Sequence, residues 1–126
     1  MAKTFKDLIV WQKAMELAVG VYSIVRFLPK EETYALSDQI RRAAVSVPSN
    51  IAEGHVRQTP KEFVQFLCIA RGSRAELETQ LLLAKTLGYF ECVPAQQLER
   101  VFQLSDEVSR MLYTLTKNKE PLTANG

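Results

Sequence analysis

Histidine, tryptophan and cysteine are nearly missing from this sequence, with one His, one Trp and two Cys in 126 residues. The single histidine, His55, excludes a two-histidine metal site within one subunit, and Cys68 and Cys92 lie too far apart in sequence to form a local zinc pair. Two cysteines in apolar surroundings make no disulfide framework, and no N-terminal apolar run with a cleavage site precedes them. Reduced thiols and a cytoplasmic location are therefore expected. Only five glycines and five prolines interrupt the chain, and none belongs to a phosphate-cradling loop or a Gly-x-Ser-x-Gly elbow. The longest apolar stretch, Leu8 to Leu28, is interrupted by Lys13, Glu16 and Arg26, so it reads as a soluble helix rather than a membrane span. No Glu-x-x-His pair offers ligands for a di-iron bundle. A protein without enzymatic activity, metal, cofactor or membrane attachment is the expectation.

What is present is helical periodicity. At 126 residues, 47% of them hydrophobic and 24% charged, the chain is long enough for one domain with a real core. Glycine and proline divide it into four periodic segments. The first, about Phe5 to Leu28, carries two apolar stripes: Leu8, Trp11, Met15, Ala18, Tyr22 and Val25, and beside them Val10, Ala14, Leu17, Val21, Ile24 and Leu28. The second starts near Ser37 as N-cap, turns Ile40, Ala44, Val47 and Ile51 inward and ends around Gly54. The third opens on TPKE, with Thr59 at the N-cap and Pro60 at the first helical position. It turns Phe63, Leu67, Ala70, Leu77, Leu81 and Ala84 inward and stops at Gly88. The fourth begins at Pro94 and aligns Leu98, Val101, Ser105, Val108, Leu112 and Leu115. No segment alternates with a period of two. The spacing predicts an all-α, antiparallel up-down-up-down four-helix bundle over residues 1–117 and a disordered tail over 118–126.

Two features exceed what one bundle needs. The stretch FVQFLCIA, Phe63 to Ala70, is apolar around most of the helix circumference, and the first helix has its second stripe. Surplus apolar faces of this kind predict a homo-oligomer. The stretch SVPSNIAEG, Ser46 to Gly54, puts a proline inside a helix, which removes the amide that would serve the carbonyl of Ala44. Pro48 is expected to kink the second helix, with Ser46, Ser49 and Asn50 serving the freed backbone. Asn50 is placed at the level of Phe63, and Glu53 near the unpaired amides that start the third helix. Packing and capping account for both more readily than chemistry does. Gly72 and Ser73, in the middle of the third helix, are expected to allow close helix approach.

Charge is unevenly distributed. Between Arg41 and Arg74 stand six basic residues, Arg41, Arg42, Arg57, Lys61, Arg71 and Arg74, against Glu53 and Glu62, a net of +4. The remainder is net −2, within an overall +2. The antiparallel register sets Arg42 opposite Arg71, making a basic patch that attracts phosphates without reading sequence. Two readings stand beside each other: an RNA- or DNA-binding surface, or arginines paired with Glu76, Glu78, a neighbouring subunit or an acidic protein partner.

The runs QIRRAAVSVPSNIAEG (Gln39 to Gly54) and KEFVQFLCIARGSRAELETQLLLAKTLGY (Lys61 to Tyr89), with FKDLIVWQKAMELA (Phe5 to Ala18) and FLPKEETYAL (Phe27 to Leu36), resemble the 23S rRNA intervening-sequence protein family. That family is named after open reading frames in insertions within large-subunit ribosomal RNA genes. The resemblance implies a bacterial antiparallel four-helix bundle that forms a homopentamer, with no established biochemical role. It extends to the accessory variability protein of diversity-generating retroelements, a pentameric bundle with a basic surface whose partners include a reverse transcriptase and nucleic acid. Helical-bundle ribonucleases of the HEPN class place an arginine a few residues before a histidine on one helix. Here no arginine lies at that distance before His55.

Overall fold

The computed structural model describes residues 3–117. All regular structure among them is helical: α1 (Ile9–Val25), α2 (Leu36–His55), α3 (Pro60–Thr86) and α4 (Ala95–Lys117), with short 3-10 turns at Phe5–Asp7 and Lys30–Glu32. The expected tail, 118–126, lies outside the described residues.

Each helix packs against its neighbours in sequence, and α1 also packs against α4. Side-chain pairs give the registers. On α2 and α3, Ser46 meets Ser73 and Gly54 meets Phe66; on α3 and α4, Arg74 meets Ser105 and Arg71 meets Thr116. On α1 and α4, Ser23 accepts from Gln97 at 2.8 Å, and Arg100 bonds Glu16 at 3.1 Å. The core is the set of faces the periodicity predicts for α2, α3 and α4: Ile40, Ala44, Val47 and Ile51, then Leu67, Ala70, Leu77 and Leu81, then Val101, Val108 and Leu112 are buried. On α1 the second stripe carries the core, because Val10, Ala14, Leu17, Val21 and Ile24 are buried. Met15 and Tyr22 of the first stripe are exposed.

Two helix ends obey local rules and one does not. Thr59 caps α3 by accepting from the Glu62 amide, ahead of Pro60. Gly88, at φ 84°, terminates it, with Gly88 N–H donating to Lys85 and Tyr89 N–H to Ala84. This is the paired bonding of a Schellman end, which needs the left-handed residue glycine supplies. The expected cap at Ser37 is not formed. Ser37 is buried inside α2, Ala35 holds the N-cap position without a side-chain bond, and Glu32 reaches forward to accept from the Leu36 amide at 3.3 Å.

The other Glu32 oxygen accepts from the Tyr89 hydroxyl at 2.9 Å, so the α1–α2 and α3–α4 connections are tied together at one end of the molecule. This bond, with burial and the nearby Glu31 charge adding to it, holds the Tyr89 pKa above the ordinary value of about 10. The neutral phenol is favoured by folding, so its contribution is complete below that value and disappears as pH rises through the folded-state pKa. Tyr89→Phe is therefore expected to be less stable than the parent at pH 7, and the gap should close above pH 10. Urea midpoints across that range measure it, and a gap independent of pH would show that the phenolic proton contributes nothing.

Pro48 lies inside an uninterrupted α2, so it is not a terminus. The Asn50 amide donates to the Ser46 carbonyl at 2.8 Å and to its hydroxyl at 2.9 Å. The carbonyl that Pro48 leaves without its usual donor is that of Ala44, so Asn50 serves a neighbour of the break rather than the break itself. Ser46 is joined to Ser73 at 2.7 Å, and because it accepts from Asn50 its own proton is available to Ser73.

Candidate nucleic-acid interface

Helix α2 ends at His55 and α3 starts at Pro60, which fixes where the six basic residues stand. Placing Arg42 opposite Arg71 would bring Ser46 opposite Leu67. Its actual partner, Ser73, lies further along α3, and Phe63 faces Gly54 rather than Asn50. The slip exceeds one helical turn, so Arg42 and Arg71 are not brought together as the sequence reading expected. At Gly54 the missing side chain lets Phe63 and Phe66 of α3 seat against the last turn of α2.

Three of the six basic side chains are neutralised within the chain. Arg42 pairs with Asp38 at 3.0 Å, Arg57 with Glu53 at 2.8 Å and with Glu62 at 4.0 Å, and Arg74 with Glu78. Each first partner lies four residues away, a spacing at which helical side chains meet; Arg42 and Arg74 share a helix with theirs, and Arg57 stands just past the end of α2. Glu53 is thus committed to Arg57 rather than to the amides of α3, which Thr59 caps. The Arg57 guanidinium also lies over the Phe66 ring at 4.7 Å. His55 is the last residue of α2; it is half-buried, with its ring edge-on to Phe63 at 6.0 Å.

Arg41, Lys61 and Arg71 make no ion pair among the described residues. Arg41 donates to the Thr33 carbonyl at 3.4 Å, and Lys61 is exposed in the first turn of α3. Arg71 is held over the Tyr113 ring at 5.2 Å and donates to Thr116 at 3.4 Å. Tyr113 is exposed on α4 and was not among the predicted site residues, since nothing local in the sequence connects it to Arg71.

An apolar groove of about 560 Å³ also runs between α1 and α2, floored by Ala18 and Pro48 and walled by Trp11, Met15, Tyr22, Val45 and Ala52. Its signal in the sequence is the first stripe of α1, of which the core takes Ala18 and Val25 and leaves Met15 and Tyr22 exposed. The FVQFLCIA surplus is likewise partly uncovered, with Ile69 half exposed and Cys68 exposed rather than sheltered; Cys92 is exposed too.

The family model for the 23S rRNA-intervening sequence proteins matches residues 6–114. The chain belongs to that family. Its helices and their arrangement are similar to those in a crystal structure of a protein of unknown function from the S23 ribosomal protein family of Bacteroides thetaiotaomicron. The two share 29% sequence identity with a TM-score of 0.75, over 87% of this chain and all of that one. None of the curated proteins matches the chain. The described residues hold no group of three or more His, Cys, Asp or Glu able to bind a metal ion, and no helix among them is long and apolar enough to cross a membrane.

Proposed function

We propose that the protein is a cytoplasmic, non-enzymatic scaffold or adaptor: a homopentamer of up-down-up-down bundles, with α2 bent at Pro48, that binds RNA or DNA through Arg41, Arg42, Arg57, Lys61, Arg71 and Arg74. The observation that carries the binding part is the net charge of +4 on the stretch from Arg41 to Arg74, where Arg41, Lys61 and Arg71 lack carboxylate partners among the described residues. A ring would repeat this surface around its axis, and repeated arginines bind phosphates by releasing counterions. The assembly part is supported by two apolar surfaces that differ from one another: the α1–α2 groove, and the exposed Ile69 and Leu83 of α3 with Leu87 at its C-cap. Unlike surfaces that join head to tail form a ring where the rotation between subunits closes, and an open filament where it does not.

The ion pairs of Arg42, Arg57 and Arg74 favour a second reading, a protein-interaction module whose arginines serve assembly or an acidic partner. Replacing Arg41 and Arg42 by Glu separates the two. Under the nucleic-acid reading, affinity for RNA or DNA falls by at least about tenfold, the salt dependence becomes shallower, and the light-scattering mass is unchanged. A broken assembly, or an unchanged affinity, decides for the interaction module.

A further inference from the structure

A second groove, of about 350 Å³, opens between α3 and α4 and is lined by Cys68, Arg71, Gly72, Arg74, Ala75 and Ser109. Three observations set it apart from ordinary surface relief. Gly72 sits in the interior of the 27-residue α3, where glycine weakens a helix, and a Cβ built there would meet nothing within 4 Å. Its φ is not positive, so neither packing nor backbone geometry within the chain requires glycine. The effect of glycine at this position is to keep the groove open. Arg71 is oriented by Tyr113 and Thr116 but has no carboxylate, and Arg74, whose side chain is 13% exposed, is fixed between Glu78 and Ser105. The half-buried Ser109 hydroxyl makes no hydrogen bond among the described residues.

The lining therefore offers a free hydroxyl and two guanidinium groups, that of Arg71 without a carboxylate and that of Arg74 shared with Glu78 at the groove's edge. Guanidinium groups match the oxygens of phosphate through paired N–H bonds, and a hydroxyl supplies another donor. The groove is larger than one tetrahedral anion needs, leaving room for an ester substituent beside it. We infer that this α3–α4 groove binds a phosphate group, held by Arg71, Arg74 and Ser109 over the open face of Gly72. The inference deepens the nucleic-acid reading and rests on it for the source of the phosphate, a strand backbone; a free nucleotide or pyrophosphate carries the same chemistry.

The groove contains its own reporter. Cys68 lines it, while Cys92 is an exposed thiol in the α3–α4 connection. Alkylation of both by iodoacetamide is followed by mass spectrometry, with pyrophosphate or a short RNA as ligand. With ligand at roughly tenfold above its dissociation constant, Cys68 should react about tenfold more slowly and Cys92 at its former rate. Arg71→Gln should lose the protection. Gly72→Leu, whose side chain itself covers Cys68, is read instead by calorimetric titration with pyrophosphate, and should remain folded while losing binding. Protection by pyrophosphate without RNA binding would support the groove and overturn the nucleic-acid function. RNA binding that leaves Cys68 at its unliganded rate would overturn the groove and leave that function standing. A Cys68 rate that falls with protein concentration in the absence of ligand would give the groove to a second copy of the chain and overturn the inference.

Discussion

Gly54→Ala and Gly72→Ala, the same chemical change in two helices that pack together, should shift stability in opposite directions. A Cβ at Gly54 would stand 2.7 Å from the Phe66 Cβ, 3.1 Å from the Phe63 ring and 3.3 Å from the Phe63 carbonyl. The Phe66 Cβ and the carbonyl are fixed to the α3 backbone, so no rotamer change relieves the contact and the two helices must separate. Overpacking of this kind costs about 1–3 kcal/mol. The better helix propensity of alanine returns somewhat less than about 1 kcal/mol. A net loss of about 1–2 kcal/mol is expected, together with loosening of the Ser46–Ser73 contact further along. At Gly72 the clash term is zero and only the propensity gain remains, about 0.5–1 kcal/mol of stabilisation. Urea unfolding of the two variants beside the parent measures both. A neutral or stabilising Gly54→Ala would mean that α2 and α3 do not approach this closely at their shared end.

Glu78→Gln is expected to make the protein less stable and, at the same time, a tighter phosphate binder. The carboxylate neutralises Arg74, whose side chain is 13% exposed, while its own is 35% exposed. Removing one partner of a fully buried pair costs about 3–5 kcal/mol. Here water reaches the Glu78 side, so about 1–3 kcal/mol is the expected loss. Arg74 keeps its bond to Ser105 at 3.2 Å and therefore its position in the groove. The lining gains one uncompensated positive charge, which should raise pyrophosphate affinity and steepen the salt dependence of RNA binding by about one counterion. Lower stability with unchanged affinity would assign Arg74 a structural role only.

These two predictions separate what was readable locally from what was not. The TPKE start at Thr59, the Gly88 stop and the inward faces of α2, α3 and α4 follow from rules spanning four to seven residues, and the structure has them where the sequence put them. The Glu78 partner of Arg74 was among the pairings the sequence offered, and the Asp38 and Glu53 partners of Arg42 and Arg57 were also readable, because each lies four residues away. Summing charge over the segment treated paired and unpaired arginines alike and so hid the pairs of Arg42 and Arg57. The cap of α2 was misassigned for a related reason: Ser37 is a favourable N-cap residue, but Glu32, made available by the preceding 3-10 turn and tied to Tyr89, already serves the first amide.

The sequence by itself determined that the described chain folds into four helices, which face of α2, α3 and α4 turns inward, and that the stretch from Arg41 to Arg74 carries a net charge of +4. Helical periodicity and terminal signals act within a few residues and need no partner. The tertiary structure decided how α2 and α3 are registered, which stripe of α1 becomes core, which arginines stay unpaired, and that Gly54 seats a helix while Gly72 opens a groove. Those outcomes depend on side chains that meet across helices, where a missing methyl group at one glycine sets the packing and at another touches nothing.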